Sequence, residues 1–174
     1  MTHCIIRKPL LADAENIARA HVKAWQETYR GIMPDDFLDS LSLETRIQNH
    51  KKSIPEIGYL IAEEAGEILG FICYGQSRDS KDAKDGEIFA INMIDKGKGR
   101  GIAAEMMRRA TVEMAASGWK SLSLWVVEGN ARARGFYEKM GGVTNGEEKT
   151  RPFGGRDVTE VKYVFKEILP VSGL

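Results

Sequence analysis

Glycine alternates with basic residues at one strand-to-helix junction near the middle of the chain. Residues 96–101 read KGKGRG and follow an apolar, strand-like run over 87–93. After them, Met106, Ala110 and Met114 recur at helical spacing. Glycine lets backbone N–H groups approach a ligand closely, and a helix N-terminus offers unpaired donors with partial positive charge. The turn therefore predicts a phosphate site made mainly of backbone, with a flexible glycine-rich loop as the plain alternative.

Apolar alternation and breaker residues divide the rest of the chain into strands and helices. We expect strands at 5–6, 59–63, 68–74, 87–93, 121–127, 143–149 and 158–165, and helices over 13–29, 35–52, 102–117 and 130–140. Residues 77–86 are polar and predict a loop. Hairpins on both sides of two strand–helix units indicate one α/β (mixed α+β) domain over residues 1–174. Its sheet should be mixed, mostly antiparallel and twisted, with helices flanking it.

Charge and cysteine usage exclude several classes of function. Lysine and arginine number 25, as do aspartate and glutamate, so no net field recruits nucleic acid or an anionic membrane. Cys4 and Cys73 lie far apart without metal-ligand neighbours, which argues against a disulfide framework or a zinc site. No run approaches the roughly 18 apolar residues of a membrane span, and charged residues interrupt the N-terminal segment. We expect a soluble cytoplasmic protein without a metal.

The glycine turn also fits the loose dinucleotide fingerprint, as Gly99-x-Gly101-x-x-Ala104, with Glu128 ending the next strand. That fingerprint normally follows its strand directly and opens a long series of strand–helix–strand units. Here antiparallel hairpins are predicted before and after the turn. Phosphate binding is therefore retained, and a nicotinamide coenzyme is disfavoured.

Residues 96–101 and residues 124–141, LWVVEGNARARGFYEKMG, together resemble the GNAT superfamily of acetyl-coenzyme A dependent N-acetyltransferases. The first segment is similar to the family's pyrophosphate signature, with Lys96 in place of the usual Arg or Gln. The second resembles the family's other coenzyme A motif and is the more specific match. The resemblance covers most of residues 87–142. It implies a GNAT-like fold, acetyl-coenzyme A as co-substrate and transfer of acetyl to a primary amine.

The resemblance assigns coenzyme binding mostly to backbone groups. In the family, the strand before the turn separates from its neighbour and pairs with the pantetheine arm, which here implies Ile91 and Met93. Asn130 is also expected at the coenzyme, although asparagine at that position is equally a helix N-cap. The pyrophosphate is expected on the backbone amides of Lys98, Gly99, Arg100, Gly101, Ile102 and Ala103.

Tyr137 is the candidate catalytic hydroxyl. It lies seven residues after Asn130, so on one helix both side chains face the same cleft. A departing thiolate gains from a hydrogen-bond or proton donor, and a hydroxyl with a pKa of about 10 can supply it. The resemblance to the second motif implies that Tyr137 has this role, whereas a tyrosine on an amphipathic helix is otherwise a core residue.

Glu87 is the candidate base, because a protonated amine must lose a proton before it attacks a thioester. Its position beside an apolar run favours desolvation, whereas Asp85, the alternative base, is expected in the polar loop. A solvated charge at the strand end is the non-catalytic interpretation of Glu87. Alternation predicts one shared face for Asp85, Glu87, Phe89, Ile91 and Met93.

The acceptor side is expected near residues 24–34, a segment similar to the first helix and following loop of family members. Trp25 and Tyr29 are predicted to line the acceptor pocket, with core packing as the alternative for Trp25. His3, His21 and His50 show no catalytic or metal-ligand spacing and receive no role. The expected partner is an amine acceptor, a small molecule or a protein N-terminus or lysine, with a homodimer left open. A non-catalytic acyl-coenzyme A binding or sensing module is the alternative function.

Overall fold

The strand-forming segments assemble into one seven-stranded sheet of order β1-β2-β3-β4-β5-β7-β6 in the computed structural model, which describes residues 4–165. Its neighbours pair antiparallel except β4 and β5, which are parallel. This confirms the predicted mixed, mostly antiparallel sheet. The strands are β1 Ile5–Arg7, β2 Gly58–Glu64, β3 Glu67–Gln76, β4 Asp85–Met93, β5 Ser121–Val127, β6 Val143–Phe153 and β7 Arg156–Phe165.

Five α-helices flank the sheet: α1 Ala14–Tyr29, α2 Asp35–Asp39, α3 Leu43–Ser53, α4 Ile102–Ala116 and α5 Ala131–Lys139. The connections β4-α4-β5 and β5-α5-β6 step across the sheet in the same direction, and such crossovers are right-handed. They therefore place α4 and α5 on one face, where the Tyr74 hydroxyl donates to Glu113 of α4. The next residue back, Cys73, lies on the opposite face with His21 of α1 and His50 of α3.

The region predicted as one helix over 35–52 forms two separate helices, α2 and α3. After α2, the Ser40 and Leu41 segment leaves the helix, and the Ser42 side chain accepts a hydrogen bond from the Thr45 amide at 3.1 Å. This N-cap satisfies an amide that α3 would otherwise leave unpaired, so the helix restarts there. The closing hairpin is also longer than predicted, since β6 runs to Phe153 and its turn lies at Gly154 and Gly155.

Strand β4 separates from β5 halfway along its length. The two pair from Asp85 opposite Ser121 to Ile88 opposite Leu124, whereas β4 stays paired with β3 as far as Met93. The register with β3 shifts at this point, which makes Phe89 an extra residue. Bulges bend a strand and increase its twist. The result is a V-shaped gap between β4 and β5 in the middle of the sheet.

The bulge changes which side chains share a face. Glu87 lies opposite Gly75, and Ala90 lies opposite Cys73, so Glu87 and Ala90 are on the same face of the sheet. The predicted single face holds as far as Phe89, whose ring lies on the Gly75 side, and is wrong for Ile91 and Met93, which the bulge turns to the other face. Asp85 is also not in the loop, since it is the first residue of β4.

Candidate active site

The edge of β4 that faces the gap carries unpaired backbone groups. The Ile94 amide donates to the Leu69 carbonyl at 2.9 Å, which fixes the hydrogen-bond pattern of β3 with β4. Because alternate residues of an antiparallel pair point their backbone groups at the partner, Asn92 is directed at β3. Ile91 and Met93 then direct their amides and carbonyls into the gap. An extended ligand arm can pair with them as an added strand, the arrangement predicted for pantetheine.

The glycine turn leaves open space in front of a helix N-terminus. Gly99 and Gly101 have φ of 76° and 77°, a region that side-chain-bearing residues rarely adopt. Gly101 precedes α4 and makes no side-chain cap, so the first-turn amides, including those of Ile102 and Ala103, lack intrahelical partners. A Cβ at Gly101 would meet nothing within 4 Å. These features fit a pyrophosphate bound by backbone donors.

The basic side chains of the turn point to protein partners. Lys98 Nζ lies 3.0 Å from Thr28 Oγ1 and 2.7 Å from Asp95 Oδ1. The Arg100 guanidinium donates to Glu64, with the shorter contact at 2.6 Å. Both cations are engaged in holding the turn. The Lys98 amide, predicted to bind the pyrophosphate, donates instead to the Asp95 carbonyl at 3.1 Å and closes the turn before it, so the amides that face a ligand begin at Gly99.

Arg132 is a candidate site residue that the sequence analysis does not include. It lies in the first turn of α5, and its Nη2 is 3.9 Å from where a Cβ on Gly99 would be. The exposed guanidinium therefore lies beside the glycine turn, where it can bind phosphate oxygens bidentately. The sequence signal was its place within the second motif, two residues after Asn130, although only the fold brings it to the turn.

Tyr137 lies where the gap opens. Its ring is 6.0 Å from that of Tyr163, and Tyr163 pairs with Leu124, the last β5 residue that pairs with β4. Tyr137 is buried, and burial raises the pKa of its hydroxyl, with the nearby Tyr29 adding to the effect. Within residues 4–165 the hydroxyl has no hydrogen-bond partner. A protonated, unpaired hydroxyl is thus available beside the gap.

Asn130 and Tyr29 belong to the same cluster as Tyr137. The Asn130 side chain accepts a hydrogen bond from the Ala133 amide at 3.1 Å, so it is the N-cap of α5. Burial raises the pKa of Tyr29, and the neighbouring Asn130 side chain opposes that shift. The cluster therefore joins the end of α1 to α5. The helix cap explains Asn130 by itself, and its coenzyme role stays a prediction.

The two candidate bases are held differently. Glu87 is 1% exposed, which excludes the solvated strand-end charge, and its carboxylate accepts from the Arg78 amide at 2.9 Å and from the Arg78 guanidinium. Asp85 accepts from the hydroxyls of Ser121 and Ser80, and these bonds hold its pKa below the usual range. The lowered pKa makes Asp85 a poor proton acceptor. The Arg78 pair keeps the Glu87 carboxylate in position on the face of α1.

No sequence signal pairs His21 with His50, yet His21 Nδ1 and His50 Nε2 lie 3.0 Å apart. The Tyr59 hydroxyl lies 2.7 Å from His50 Nδ1 and extends this buried chain. The chain borders a pocket of about 150 Å³ between α1, α3 and the sheet, where Ala90 forms part of the wall. His3 lies outside the described residues.

Trp25 is half-buried and has contacts on two sides. The Arg46 guanidinium lies 5.0 Å over its ring, and its edge contacts include His21. On the other side, Tyr29 and Phe153 pack at ring distances of 5.1 and 6.1 Å. Trp25 therefore belongs to an aromatic cluster and also supports a residue of the pocket. Tyr29 lies next to Tyr137, at the gap.

Two further observations concern the part of the chain that the structure describes. It contains no group of three or more His, Cys, Asp or Glu side chains that could hold a metal ion. None of its helices is long and apolar enough to cross a membrane.

Residues 16–142 match the acetyltransferase (GNAT) family, which is most of the chain. The chain therefore belongs to the GNAT family of acetyltransferases. An uncharacterized N-acetyltransferase of Bacillus subtilis, YuaI, is 30% identical over 126 residues, 72% of each chain. A probable N-acetyltransferase of Mycobacterium tuberculosis, Rv2775, is 27% identical over 161 residues, 90% of this chain and 88% of that protein.

Solved structures share the fold at low sequence identity. The PaiA N-acetyltransferase of Thermoplasma acidophilum, in complex with coenzyme A, superposes with a TM-score of 0.69 and 21% identity over 92% of this chain and 98% of that one. The Salmonella typhimurium protein yncA, with acetyl-CoA, gives a TM-score of 0.73 and 15% identity over 99% and 98%.

Proposed function

We propose that the protein transfers the acetyl group of acetyl-coenzyme A directly to a primary amine of a small molecule or a protein. The observation that carries the proposal is the meeting of three features at one gap. They are the free backbone edge of β4, the uncapped glycine turn and the unpaired hydroxyl of Tyr137. Family membership supports the acetyltransferase class.

Backbone groups would hold the coenzyme in this proposal. Ile91 and Met93 pair with pantetheine, and the amides from Gly99 to Ala103 bind the pyrophosphate, with Arg132 beside them. Bound there, the co-substrate supplies a thioester carbonyl as the electrophile. The strand edge and the helix N-terminus orient the coenzyme through backbone groups that are already ordered, so binding costs little side-chain entropy.

Two proton movements complete the reaction. Glu87, directly or through a water, accepts the proton that the amine must lose before its nitrogen bonds to the acetyl carbon. As the carbon–sulfur bond breaks, the Tyr137 hydroxyl donates a hydrogen bond or a proton to the departing thiolate. Because burial keeps Tyr137 protonated at neutral pH, the donor is always in the right state.

Direct transfer is favoured because the chain offers no activated thiol. Burial raises the pKa of Cys73 to about 12, and it also raises the pKa of Cys4. A thiol needs its thiolate form to attack a thioester, and at neutral pH both remain protonated. The amine itself is therefore the nucleophile.

A panel of amines tests the proposal through free-thiol release from acetyl-coenzyme A. At least one amine class should release thiol well above the amine-free rate. The matched control is Tyr137→Phe, which should still bind coenzyme A but release thiol more slowly. If coenzyme A binds and no amine in a panel of small amines, polyamines and peptides is acetylated, the protein is a coenzyme-binding module and the proposal is wrong.

A further inference from the structure

The pocket between α1, α3 and the sheet contains a cation without an acidic partner. Arg46 is half-buried, and burial lowers the pKa of its guanidinium, with no carboxylate acting on it. Within residues 4–165 its guanidinium makes no ion pair, and its close neighbour is the Trp25 ring at 5.0 Å. A partly desolvated guanidinium is costly unless an anion pairs with it. The pocket therefore has a positive pole that the protein does not neutralise.

The other groups of the pocket carry no charge at neutral pH. Burial lowers the pKa of His50 to about 4 and that of His21 well below its usual value, and Arg46 adds to both shifts. Phe71 and Ala90 form an apolar wall, and Asn49, which is exposed, marks where the pocket meets the solvent. The ligand that complements this arrangement has one anionic group at Arg46 and a short apolar part over the sheet.

The pocket adjoins the gap that would hold the thioester. Ala90 lines it, and Ala90 precedes Ile91, whose backbone faces the gap. Glu87, the proposed base, lies on the same face of the sheet as Ala90. A molecule anchored at Arg46 would therefore extend along β4 towards both the base and the gap.

We infer that this pocket is the acceptor subsite and that it selects amines bearing a carboxylate, with Arg46 as the residue that binds the carboxylate. The inference rests on the proposed function and names its substrate class. A guanidinium binds a carboxylate bidentately, which fixes orientation as well as affinity. A cavity of about 150 Å³ accepts a group the size of benzene, so the amino-acid end of a small acceptor fits. Trp25 is a positioning residue, because its ring packs against the Arg46 guanidinium.

The experiment uses calorimetry on the protein saturated with coenzyme A. The probes are the common L-amino acids, each compared with its α-amide and its decarboxylated amine. For the best amino acid, the wild type should bind the acid at least about tenfold more tightly than the amide, the scale of a charge-assisted hydrogen bond. Arg46→Gln should remove this preference. Arg46→Lys keeps the charge but not the two parallel N–H donors of the guanidinium, so it should retain part of the preference.

The control is Lys51→Gln, which removes one exposed cation from the same helix and should leave the preference intact. Thiol release is measured on the same pairs of compounds. If acids bind preferentially through Arg46 but are not acetylated while other amines of the panel are, the pocket is not the acceptor subsite and the inference is overturned. If no amine of the whole panel is acetylated, the proposed function fails. If amines are acetylated with no preference for acids, or if Arg46→Gln keeps the preference, the inference is overturned while the proposed function survives.

Discussion

Tyr137 combines two properties that a packed aromatic rarely has together. Its side chain is buried among Phe136, Tyr163 and neighbouring apolar groups, yet its hydroxyl lacks a partner within residues 4–165. The hydroxyl oxygen is not among the fully buried unpaired polar atoms of the described residues, so it is accessible although the ring around it is packed. A departing thiolate in the gap can therefore accept a hydrogen bond from it.

Tyr137→Phe should therefore lower kcat by roughly ten- to a thousandfold while the Kd for coenzyme A changes little, a range scaled from general acid–base catalysis. The ring remains, so the packing and the melting temperature should hold. Single-turnover kinetics and calorimetry on the same samples measure the two quantities. Full kcat in the variant, with chemistry shown to be rate-limiting, would make Tyr137 only a packed aromatic.

Gly101 and Gly99 have no side chain, so they leave open space in front of α4, and they adopt the positive φ that the turn requires. Gly101→Glu adds an anion in front of the uncapped helix and places a side chain at a φ of 77°. We expect at least a hundredfold weaker coenzyme A binding, on the order of the loss when phosphate contacts meet a like charge. Gly118→Glu is the matched control, because Gly118 has a φ of 87° at the other end of α4 and open space around it.

The control variant should share the backbone strain and keep normal affinity. Calorimetry with coenzyme A, together with circular dichroism of all variants, separates the two effects. If Gly101→Glu folds and binds as tightly as Gly118→Glu does, the glycine turn is not the pyrophosphate site.

Among the elements, α5 depends on its N-cap residue, Asn130. Asn130→Ala should lower the free energy of unfolding by about 1 kcal/mol, because the Ala133 amide loses its acceptor. Asn130→Asp should restore most of that stability, since aspartate is an equally good N-cap. Urea unfolding measures both. If the aspartate variant is stable but binds coenzyme A more weakly, Asn130 also contacts the coenzyme; equal affinity limits it to capping.

The sequence predicts the hairpins of the sheet but not the bulge in β4. Alternating apolar residues around turn residues predicted the hairpins of β2 with β3 and of β6 with β7, because each pattern is local. The bulge at Phe89 is not local, since an extra residue becomes visible only against the register of β3. For that reason the predicted common face of Glu87 and Ile91 failed, although the separation of β4 from β5 was expected from the family resemblance.

Across the whole molecule, the long-range clusters were the least accessible to sequence. His21 and His50 come from different helices, and Arg132 of α5 reaches the glycine turn only in the folded chain. By contrast, the residues around the turn and Tyr137 lie in contiguous motifs, so the sequence alone indicates them as candidates. Side chains that meet through tertiary packing leave no periodic signal along the chain.

The histidine pair makes the stability of the whole fold depend on pH. Burial lowers the pKa of His50 to about 4 from an unfolded value near 6.5, so the unfolded chain binds protons first as the pH falls. The stabilisation from neutral His50 is full above about pH 6.5 and is lost towards pH 4, an effect on the order of 1–3 kcal/mol. The difference in unfolding free energy between wild type and His50→Gln should shrink over this range, measured by urea titration. A constant difference would contradict a neutral, buried His50.

The central claim is tested most directly by the stoichiometry of one turnover. Enzyme and acetyl-coenzyme A are mixed with the best amine of the panel, and free thiol and acetylated amine are quantified together by colorimetry and mass spectrometry. We predict one acetylated amine for each thiol released, with no acetyl group on the protein and both signals slowed equally in Tyr137→Phe. Thiol release without acetylated amine, or an acetyl group that passes through Cys73, would contradict direct transfer to an amine.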